Sequence, residues 1–368
     1  MDPRPTVLFQ PLNHIGLGHI NRLSIIALAL HEIDKDIRTP FAVEGACHVL
    51  LDARGLPYIP LPDSHLMNEP VLWAEWSNRE RTKIQVQVGR SILEAMAPQV
   101  VVFDCLPNPA FLEAVIECDI PIVLCLREMR NLPSYLRKIS VLLEHVERII
   151  IPHPTGTFSL PEKLEAKSYF VGQIARATSA QHHAPDLATN LVLITGGGGG
   201  YPGTADFYNL ALQSVAELRR HLPHLRGHLI TGPLFCDWHL LQLTEGVTVA
   251  PFEPNMPARF AESGLVICQA GYNTVAELEL VGAKTVLMPA ARQWDDQFAR
   301  AERVSHGHVN FRTFRGTTPN ELAQLASEFL SESISCHTTI PPADGSMKAA
   351  QLIYEMVRAD VRVTGAAN

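Results

Sequence analysis

The sequence predicts an α/β fold made of two doubly wound domains in tandem, and three observations support this. Short apolar runs rich in β-branched residues alternate with helical patterns, the alternation restarts in the second half, and the chain has 368 residues. Continuous apolar strands are typical of parallel sheets covered by helices on both faces. A chain of this length exceeds what one hydrophobic core usually supports. We therefore expect two parallel sheets, each with its own helices.

Five runs in each half are predicted as strands. In the first half they are TVLFQ (6–10), FAVEG (41–45), VVVFD (100–104), PIVLCL (121–126) and RIIIP (148–152). In the second half they are LVLITG (191–196), GHLITG (227–232), VTVAPF (247–252), LVICQAG (265–271) and KTVLMPA (284–290). The helical patterns between these runs give both halves the order of a Rossmann-like domain.

The domain boundary is predicted within residues 173–190, a stretch that is poor in large apolar residues and contains Pro185. A first domain then covers 1–172 and a second covers 191–345. A last helical pattern begins at 346, after a Pro-Pro-Ala-Asp-Gly break, in the terminal segment 346–368. The break leaves room for this helix to cross back to the first domain.

Composition and charge argue against several classes of protein. The formal net charge of −8 disfavours nucleic acid as a partner. The seven cysteines form no Cys-x-x-Cys pair, which is typical of buried, reduced thiols in a cytosolic protein. No stretch of 18 apolar residues is found, so we expect no transmembrane segment. We expect a cytoplasmic protein, a monomer or homodimer, with peripheral membrane contact left open.

A glycine-containing loop follows the first predicted strand. Gly16 and Gly18 lead into a helix, with His19 at its entrance. The loop lacks the third glycine of a dinucleotide fingerprint, and Glu44 is the nearest acid after strand two, so a nicotinamide cofactor is disfavoured. His14 and His19 either hydrogen-bond the loop backbone or take part in chemistry. Asp104 ends another strand at the same rim, and a histidine oriented by a carboxylate is a general base for a hydroxyl.

Two further loops join a strand to a helix in the second half. The first is the glycine run 196–200, whose backbone N–H groups suit a phosphate, although it lacks the Gly-Lys-Ser/Thr of a P-loop. The second is CQAGYNTVAE (268–277), where Thr274 and Asn273 either cap the helix or bind a ligand. Glu277 lies one turn into that helix and has the same two explanations. Downstream, a polar cluster is either a solvated helix start or part of a site: Gln293, Asp295, Asp296 and Gln297.

These motifs resemble those of a known family. AGYNTVAELELVGAKTVLMPAARQWDDQFARA is similar to the donor-binding segment of GT-B glycosyltransferases, especially those like MurG, the peptidoglycan N-acetylglucosaminyltransferase. GLGHINR looks like the first glycine loop of that family, VGQIAR like its domain-closing segment and GGGGG like its second glycine loop. GLGH, LRE and QAGYNTV also read like motifs of bacterial predicted glycosyltransferases. The resemblance spans essentially the full chain and implies two Rossmann-like domains facing a cleft.

The resemblance implies roles for individual residues. Glu277 would accept hydrogen bonds from the ribose, and Asp296 with Gln297 would hold the donor sugar. Thr274, Arg176 and the glycine turns would hold the diphosphate, and backbone near Phe252 would meet the base. The full donor set is Arg176, Gly197, Gly198, Gly199, Phe252, Glu253, Gly271, Tyr272, Asn273, Thr274, Glu277, Asp296 and Gln297. No metal and no cofactor beyond the nucleotide-diphosphate sugar, itself a substrate, are implied.

The predicted function is metal-independent, inverting transfer of a sugar from a UDP- or TDP-linked donor to an acceptor hydroxyl. His19 would be the base and Asp104 its orienting partner. Without a basic amphipathic helix, a soluble metabolite or saccharide is favoured as acceptor over a lipid-linked one. Acceptor-side residues would be His14, Gly18, Trp73, Trp76 and Arg127, although tryptophans at this spacing also occur in cores. The alternatives are a nucleotide-sugar hydrolase, an epimerase or a non-catalytic nucleotide-sugar-binding protein.

Overall fold

The structure is a computed structural model that describes residues 4–12, 16–62, 75–176, 190–332 and 344–365. These residues form two compact units. The first contains 4–12, 19–62, 75–174 and 344–365, and the second contains 175–176 and 190–332 together with 16–18. Each unit is built around one parallel sheet, so the predicted α/β class is confirmed.

The first unit has a sheet of seven strands in the order β3-β2-β1-β4-β5-β6-β7. The strands are β1 (Val7–Pro11), β2 (Phe41–Val43), β3 (Tyr58–Pro60), β4 (Val100–Asp104), β5 (Ile122–Cys125), β6 (Val146–Ile151) and β7 (Ser168–Phe170). Its helices are α1 (Gly18–Ile33), α2 (Val49–Asp52), α3 (Asn78–Met96), α4 (Pro109–Glu117), α5 (Leu132–Lys138), α6 (Ser140–His145), α7 (Glu162–Glu165) and, from the end of the chain, α13 (Gly345–Gly365), with a 3-10 turn at Gly45–His48.

Burial of its central strands holds this first sheet together. Every residue of β1, β4 and β5 is buried, as expected for apolar strands covered on both faces. The register pairs Asp104 with Pro11 on one side and with Cys125 on the other. Asp104 therefore lies at the carboxyl edge, in the middle of the sheet, where open α/β sheets bind ligands.

The second unit has a sheet of six strands in the order β10-β9-β8-β11-β12-β13. The strands are β8 (Leu191–Thr195), β9 (Arg226–Ile230), β10 (Val247–Ala250), β11 (Leu265–Cys268), β12 (Thr285–Leu287) and β13 (Phe311–Thr313). Its helices are α8 (Thr204–His221), α9 (Met256–Ala261), α10 (Tyr272–Val281), α11 (Gln297–Gly307) and α12 (Pro319–Ser331), with a 3-10 turn at Trp238–Leu240. Thr195 and Cys268 are register partners, so the glycine run and the QAG loop leave the same sheet edge.

The last helix, α13, is part of the first unit. Arg148 of β6 donates from Nη1 to the carbonyl of Leu352 at 2.7 Å, and the Tyr354 hydroxyl donates to Asp34 Oδ2 at 3.1 Å. At its start, a Cβ on Gly345 would collide with the carbonyl of Gln173, so glycine permits the close approach. No helix among the described residues has the length and apolarity to cross a membrane.

The six cysteines within the described ranges are all free thiols. Four are buried, as the sequence predicts, whereas Cys118 is half-buried and Cys236 is exposed. The seventh, Cys336, lies outside the described residues. The prediction of buried thiols therefore holds for most of this set and is wrong for Cys236.

Candidate active site

In the first unit, His19 and Asp104 meet at the carboxyl edge of the sheet. The Nδ1 atom of His19 lies 2.8 Å from Oδ1 of Asp104. Arg22 pairs with the same carboxylate, donating from Nη2 to Oδ1 at 2.7 Å and from Nε to Oδ2 at 2.8 Å. His19 and Arg22 are three residues apart on α1, which puts both on one face of the helix.

The environment separates the roles of these three side chains. Asp104 is fully buried and the Arg22 side chain is 2% exposed, whereas the His19 side chain is 23% exposed. Burial alone would raise the pKa of the Asp104 carboxyl, but the charge of Arg22 and the bond from His19 outweigh it and hold that pKa well below its usual range. Asp104 is therefore an anion at neutral pH, and His19 is the member of the group that solvent reaches.

The side chains around Asp104 determine whether this cluster could bind a metal ion. Ligand atoms of His19, Asp104 and Cys105 lie within 4.8 Å of one another. Both oxygens of Asp104 already accept hydrogen bonds from Arg22 and His19. Burial raises the pKa of the Cys105 thiol to about 12, and a thiol must be deprotonated to bind a metal. The donor set fits a hydrogen-bonded ion pair better than a metal site.

Replacing Asp104 with Asn should destabilise the protein by about 3–5 kcal/mol, because Arg22 would keep a buried charge without its partner. The folded-state pKa of Asp104 lies below its unfolded value, so the stabilisation is fully present above about pH 3.9 and declines as the pH falls below that value. Urea unfolding of both proteins from neutral pH down to about pH 2 checks this. A loss below about 1 kcal/mol at neutral pH would mean that the buried pair contributes little.

Glu44, which follows β2, is hydrogen-bonded to the turn after β4. Its Oε1 accepts a hydrogen bond from Asn108 Nδ2 at 2.7 Å, and the backbone N–H of Asn108 donates to Gln10 Oε1 at 3.0 Å. Asn108 also caps α4 by accepting from the amide of Phe111 at 2.9 Å. This buried network fixes the turn after β4.

Three of the five residues predicted for the acceptor are among the described residues. Gly18 is the first residue of α1, and Trp76 is 46% exposed just before the Ser77 cap of α3. Arg127 follows β5 and donates from Nη1 to the carbonyl of Glu128 at 3.1 Å. The other two predicted residues, His14 and Trp73, lie outside the described residues.

In the second unit, the glycine run after β8 is a tight loop with positive φ at Gly197 (75°) and Gly199 (84°). The Gly197 amide donates to Thr195 Oγ1 at 3.2 Å, so this predicted anion donor is used within the protein. Within the described ranges, the amides of Gly198, Gly199 and Gly200 donate to no protein acceptor. Unpaired backbone N–H groups of this kind are what a phosphate needs.

The backbone after β9 packs directly behind this loop. A Cβ on Gly199 would collide with the carbonyl of Thr231, and a Cβ on Gly232 would collide with the carbonyl of Gly197. The Leu234 amide donates to the Gly198 carbonyl at 3.0 Å, and the Tyr208 hydroxyl donates to the Thr231 carbonyl at 2.6 Å. Glycine is required where two backbones touch, which fixes the loop in one shape.

The helix α10 begins at the QAG loop, on the same sheet edge. Gly271 is its N-cap residue, and no side chain caps the helix there. An N-terminus without a side-chain cap keeps amides and a partial positive charge available to an anion. Thr274 is half-buried in the first turn, and Glu277 is only 5% exposed.

The predicted sugar-binding pair starts α11, and both members have structural contacts. Asp296 is the N-cap residue and accepts from the Ala299 amide through Oδ1 at 3.0 Å. Gln297 is buried and accepts from the Ala290 amide through Oε1 at 3.0 Å. In the described part of the chain, Oδ2 of Asp296 and Nε2 of Gln297 make no hydrogen bond to protein. One polar atom of each residue is thus left for a ligand.

Two arginines that the sequence analysis did not single out join the loops of this edge. Arg300 donates to the Ala270 carbonyl at 2.9 Å and to Asp295 Oδ1 at 2.7 Å, which ties α11 to the QAG loop. Arg292 lies with its guanidinium 3.6 Å from the centre of the Tyr201 ring. Its Nη2 donates to Gln269 Oε1 at 2.9 Å, so it spans the loops after β8, β11 and β12.

Three residues of the predicted donor set lie near α9, namely Arg176, Phe252 and Glu253. Arg176 donates from Nη2 to the Pro254 carbonyl at 2.8 Å. Glu253 pairs with Arg259 Nε at 2.7 Å and accepts from the Asn255 amide at 2.8 Å, which shapes the turn after β10. Phe252 is half-buried in that turn. The contact between Arg176 and this turn connects two of the predicted donor regions.

Comparison with known proteins adds to this geometry. Residues 191–339 match the Glycosyltransferase family 28 C-terminal domain. The chain is 24% identical over 371 residues to the UDP-N-acetylglucosamine--N-acetylmuramyl-(pentapeptide) pyrophosphoryl-undecaprenol N-acetylglucosamine transferase of Rhizobium leguminosarum bv. trifolii (strain WSM2304), a match covering 93% of this chain and 92% of that protein.

Solved structures share the fold along nearly the whole chain. The glycotransferase of kitacinnamycin aligns with a TM-score of 0.61 at 19% identity, over 96% of this chain and 100% of that one. The spinosyn rhamnosyltransferase SpnG, complexed with thymidine diphosphate, aligns with a TM-score of 0.55 at 19% identity, over 99% of this chain and 100% of that one. Together with the sequence matches, these likenesses confirm the resemblance inferred from the motifs.

Proposed function

We propose that this chain, a glycosyltransferase of the GT-B type that uses a nucleotide sugar, transfers the sugar to an acceptor hydroxyl by direct displacement with His19 as general base. The observation that carries the proposal is the pairing of His19 Nδ1 with buried Asp104 at 2.8 Å. Within the described residues, His19 Nε2 has no protein partner. A histidine oriented through one nitrogen, with the other open, has the geometry of a base.

The reaction forms one bond and breaks another. The acceptor oxygen attacks the anomeric carbon while its proton passes to His19 Nε2. The bond from that carbon to the diphosphate oxygen breaks, and the leaving diphosphate keeps the electron pair. Attack opposite the leaving group inverts the anomeric centre, which product stereochemistry by NMR tests.

The second unit supplies groups for the donor. The amides of Gly198, Gly199 and Gly200, together with the N-terminus of α10, suit the diphosphate, and Glu277 suits the ribose. These amides and the partial positive charge of the helix N-terminus would meet the charge that develops on the leaving diphosphate, so the proposed transfer is metal-independent. A chelator added to metal-free buffer should then leave the rate unchanged.

The proposed donor carries UDP or TDP, and the proposed acceptor is a soluble metabolite or saccharide. The Rhizobium relative bears the name of a transferase that acts on an undecaprenol-linked acceptor with a UDP-sugar, whereas SpnG was solved with thymidine diphosphate. The name of the Rhizobium relative supports UDP as the nucleotide of the donor, and the SpnG complex supports TDP. A lipid-linked saccharide is therefore the acceptor to compare directly with soluble ones.

Calorimetric titration with UDP, TDP, GDP and ADP tests the donor half of the proposal. One nucleoside diphosphate should bind, and Glu277→Gln should weaken that binding about tenfold to a hundredfold, because an amide offers the ribose one acceptor oxygen in place of two. Glu279→Gln is the matched control, since Glu279 lies on the same helix but pairs with His308 at 3.1 Å.

A folded wild-type protein that binds none of the four nucleotides would contradict the donor assignment. If Glu277→Gln and Glu279→Gln lose affinity equally, Glu277 acts through helix stability and not through the ribose. Product analysis with donor alone then separates the alternatives: free sugar indicates a hydrolase, an isomerised donor indicates an epimerase, and an unchanged donor is expected of a transferase or a binding protein.

A further inference from the structure

The role of Arg22 deepens the proposed function, and it rests on His19 acting as the base. Asp104 accepts three hydrogen bonds through two oxygens, and two of them come from the Arg22 guanidinium. We propose that Arg22 is a positioning residue that keeps Asp104 an acceptor only, and so holds His19 with its proton on Nδ1 and its lone pair on Nε2.

The reason is the cost of burying a charge. A carboxylate at 0% exposure is unstable without a partner and would take up a proton. Arg22 supplies the compensating charge in a two-point geometry that fixes the plane of the carboxylate. With the imidazole neutral, the charges of Arg22 and Asp104 sum to zero, which is the arrangement that a buried cluster favours.

Loss of the guanidinium would change where the proton resides, by either of two routes. If the carboxyl becomes protonated, it donates to His19 Nδ1, and the imidazole proton must move to Nε2. If Asp104 stays ionised, the uncompensated charge favours the imidazolium, which also carries a proton on Nε2. Both routes leave His19 without the lone pair that a base needs.

The other groups around the carboxylate do not replace Arg22. They come from the turn after β4, from β5, from the loop after β5 and from α5: Cys105, Cys125, Arg127 and Tyr135. Burial raises the pKa of both thiols and of the phenol, so these three are neutral at neutral pH. Arg127 is the remaining cation, and its Nη1 donates to a backbone carbonyl.

The test reads the tautomer of His19 by NMR of the full chain labelled with ¹⁵N-histidine, without any substrate. The His19 signals are those missing from the spectrum of His19→Gln. At neutral pH, wild type should show a bare Nε2, and Arg22→Met should show a protonated one. Arg22→Lys keeps a cation and should restore the wild-type signature. Arg38→Met, which removes an arginine bonded to Thr6 at the opposite end of the sheet, is the control.

A folded Arg22→Met protein with a bare Nε2 would overturn the proposal, and so would an Arg22→Lys protein that behaves like Arg22→Met. If Arg22→Met does not fold, Arg22→Gln, which removes the charge but keeps a donor, takes its place with the same expected signature. The signature is measured without turnover. A chain that transfers no sugar would therefore refute the proposed function and leave this result standing.

Discussion

His19→Ala should lower the rate of sugar transfer by about 10²–10⁴-fold while the affinity for the donor nucleotide stays at the wild-type value. The variant removes the base but leaves Asp104 paired with Arg22 through both oxygens, so the buried charge keeps its partner. The expected result is a loss in kcat with an unchanged Kd for the nucleoside diphosphate. Turnover and calorimetry on the same preparation measure the two quantities.

The matched control is His31→Ala, which removes another histidine of α1. His31 bonds Thr39 Oγ1 at 3.0 Å, near the other end of the helix, and should leave kcat unchanged. Wild-type kcat in His19→Ala would show that the proton leaves by another path. A parallel fall in nucleotide affinity would place His19 in the donor site and contradict its role as base.

Gly199→Ala should cost roughly 3–4 kcal/mol of stability and remove donor binding. Two effects add at this position. The backbone has a φ of 84°, which a residue with a Cβ adopts at a cost of about 1–2 kcal/mol. The added Cβ would also collide with the Thr231 carbonyl and lie 2.8 Å from the Phe235 Cβ, so the loop or the end of β9 must shift.

Gly197→Ala is the control for Gly199→Ala within the same loop. Its φ of 75° is as unfavourable, but apart from its chain neighbours no atom of the described residues lies within 4 Å of the added Cβ. It should cost about 1–2 kcal/mol and keep donor affinity. Urea unfolding and calorimetry measure both effects. Equal losses in the two variants would show that backbone conformation alone, and not the packing of the loop on β9, determines the result.

The positions of the candidate site follow from the sequence more readily than its contacts do. His19 and Asp104 could be paired because one opens a helix and the other ends a strand at the same rim. The sequence shows that Arg22 follows His19 by three residues, but it does not show that the guanidinium points to the buried Asp104. The contacts of Gln297 with Ala290, seven residues earlier, depend on loop shape, which no local pattern specifies.

The strands absent from the sequence prediction are all at sheet edges. β3, β7 and β13 contain three residues each, and each includes exposed or half-buried positions. A central strand is covered on both faces and reads as a continuous apolar run, whereas a short edge strand meets solvent and carries polar residues. The central strands were found because burial imposes a composition. Three of the four edge strands were missed because exposure imposes none, and the fourth, β10, was found because it is rich in β-branched residues.

Because α13 belongs to the first unit, synthesis from the N-terminus to the C-terminus affects the order in which the two units can complete folding. Apart from residues 16–18, the second unit is one stretch of sequence, so every strand of its sheet is synthesised before residue 344 is made. The first unit receives the partners of Arg148 and Asp34 only after the second unit has been synthesised. Domains usually complete folding in the order of their synthesis. Here the later-encoded domain is the one that can finish first.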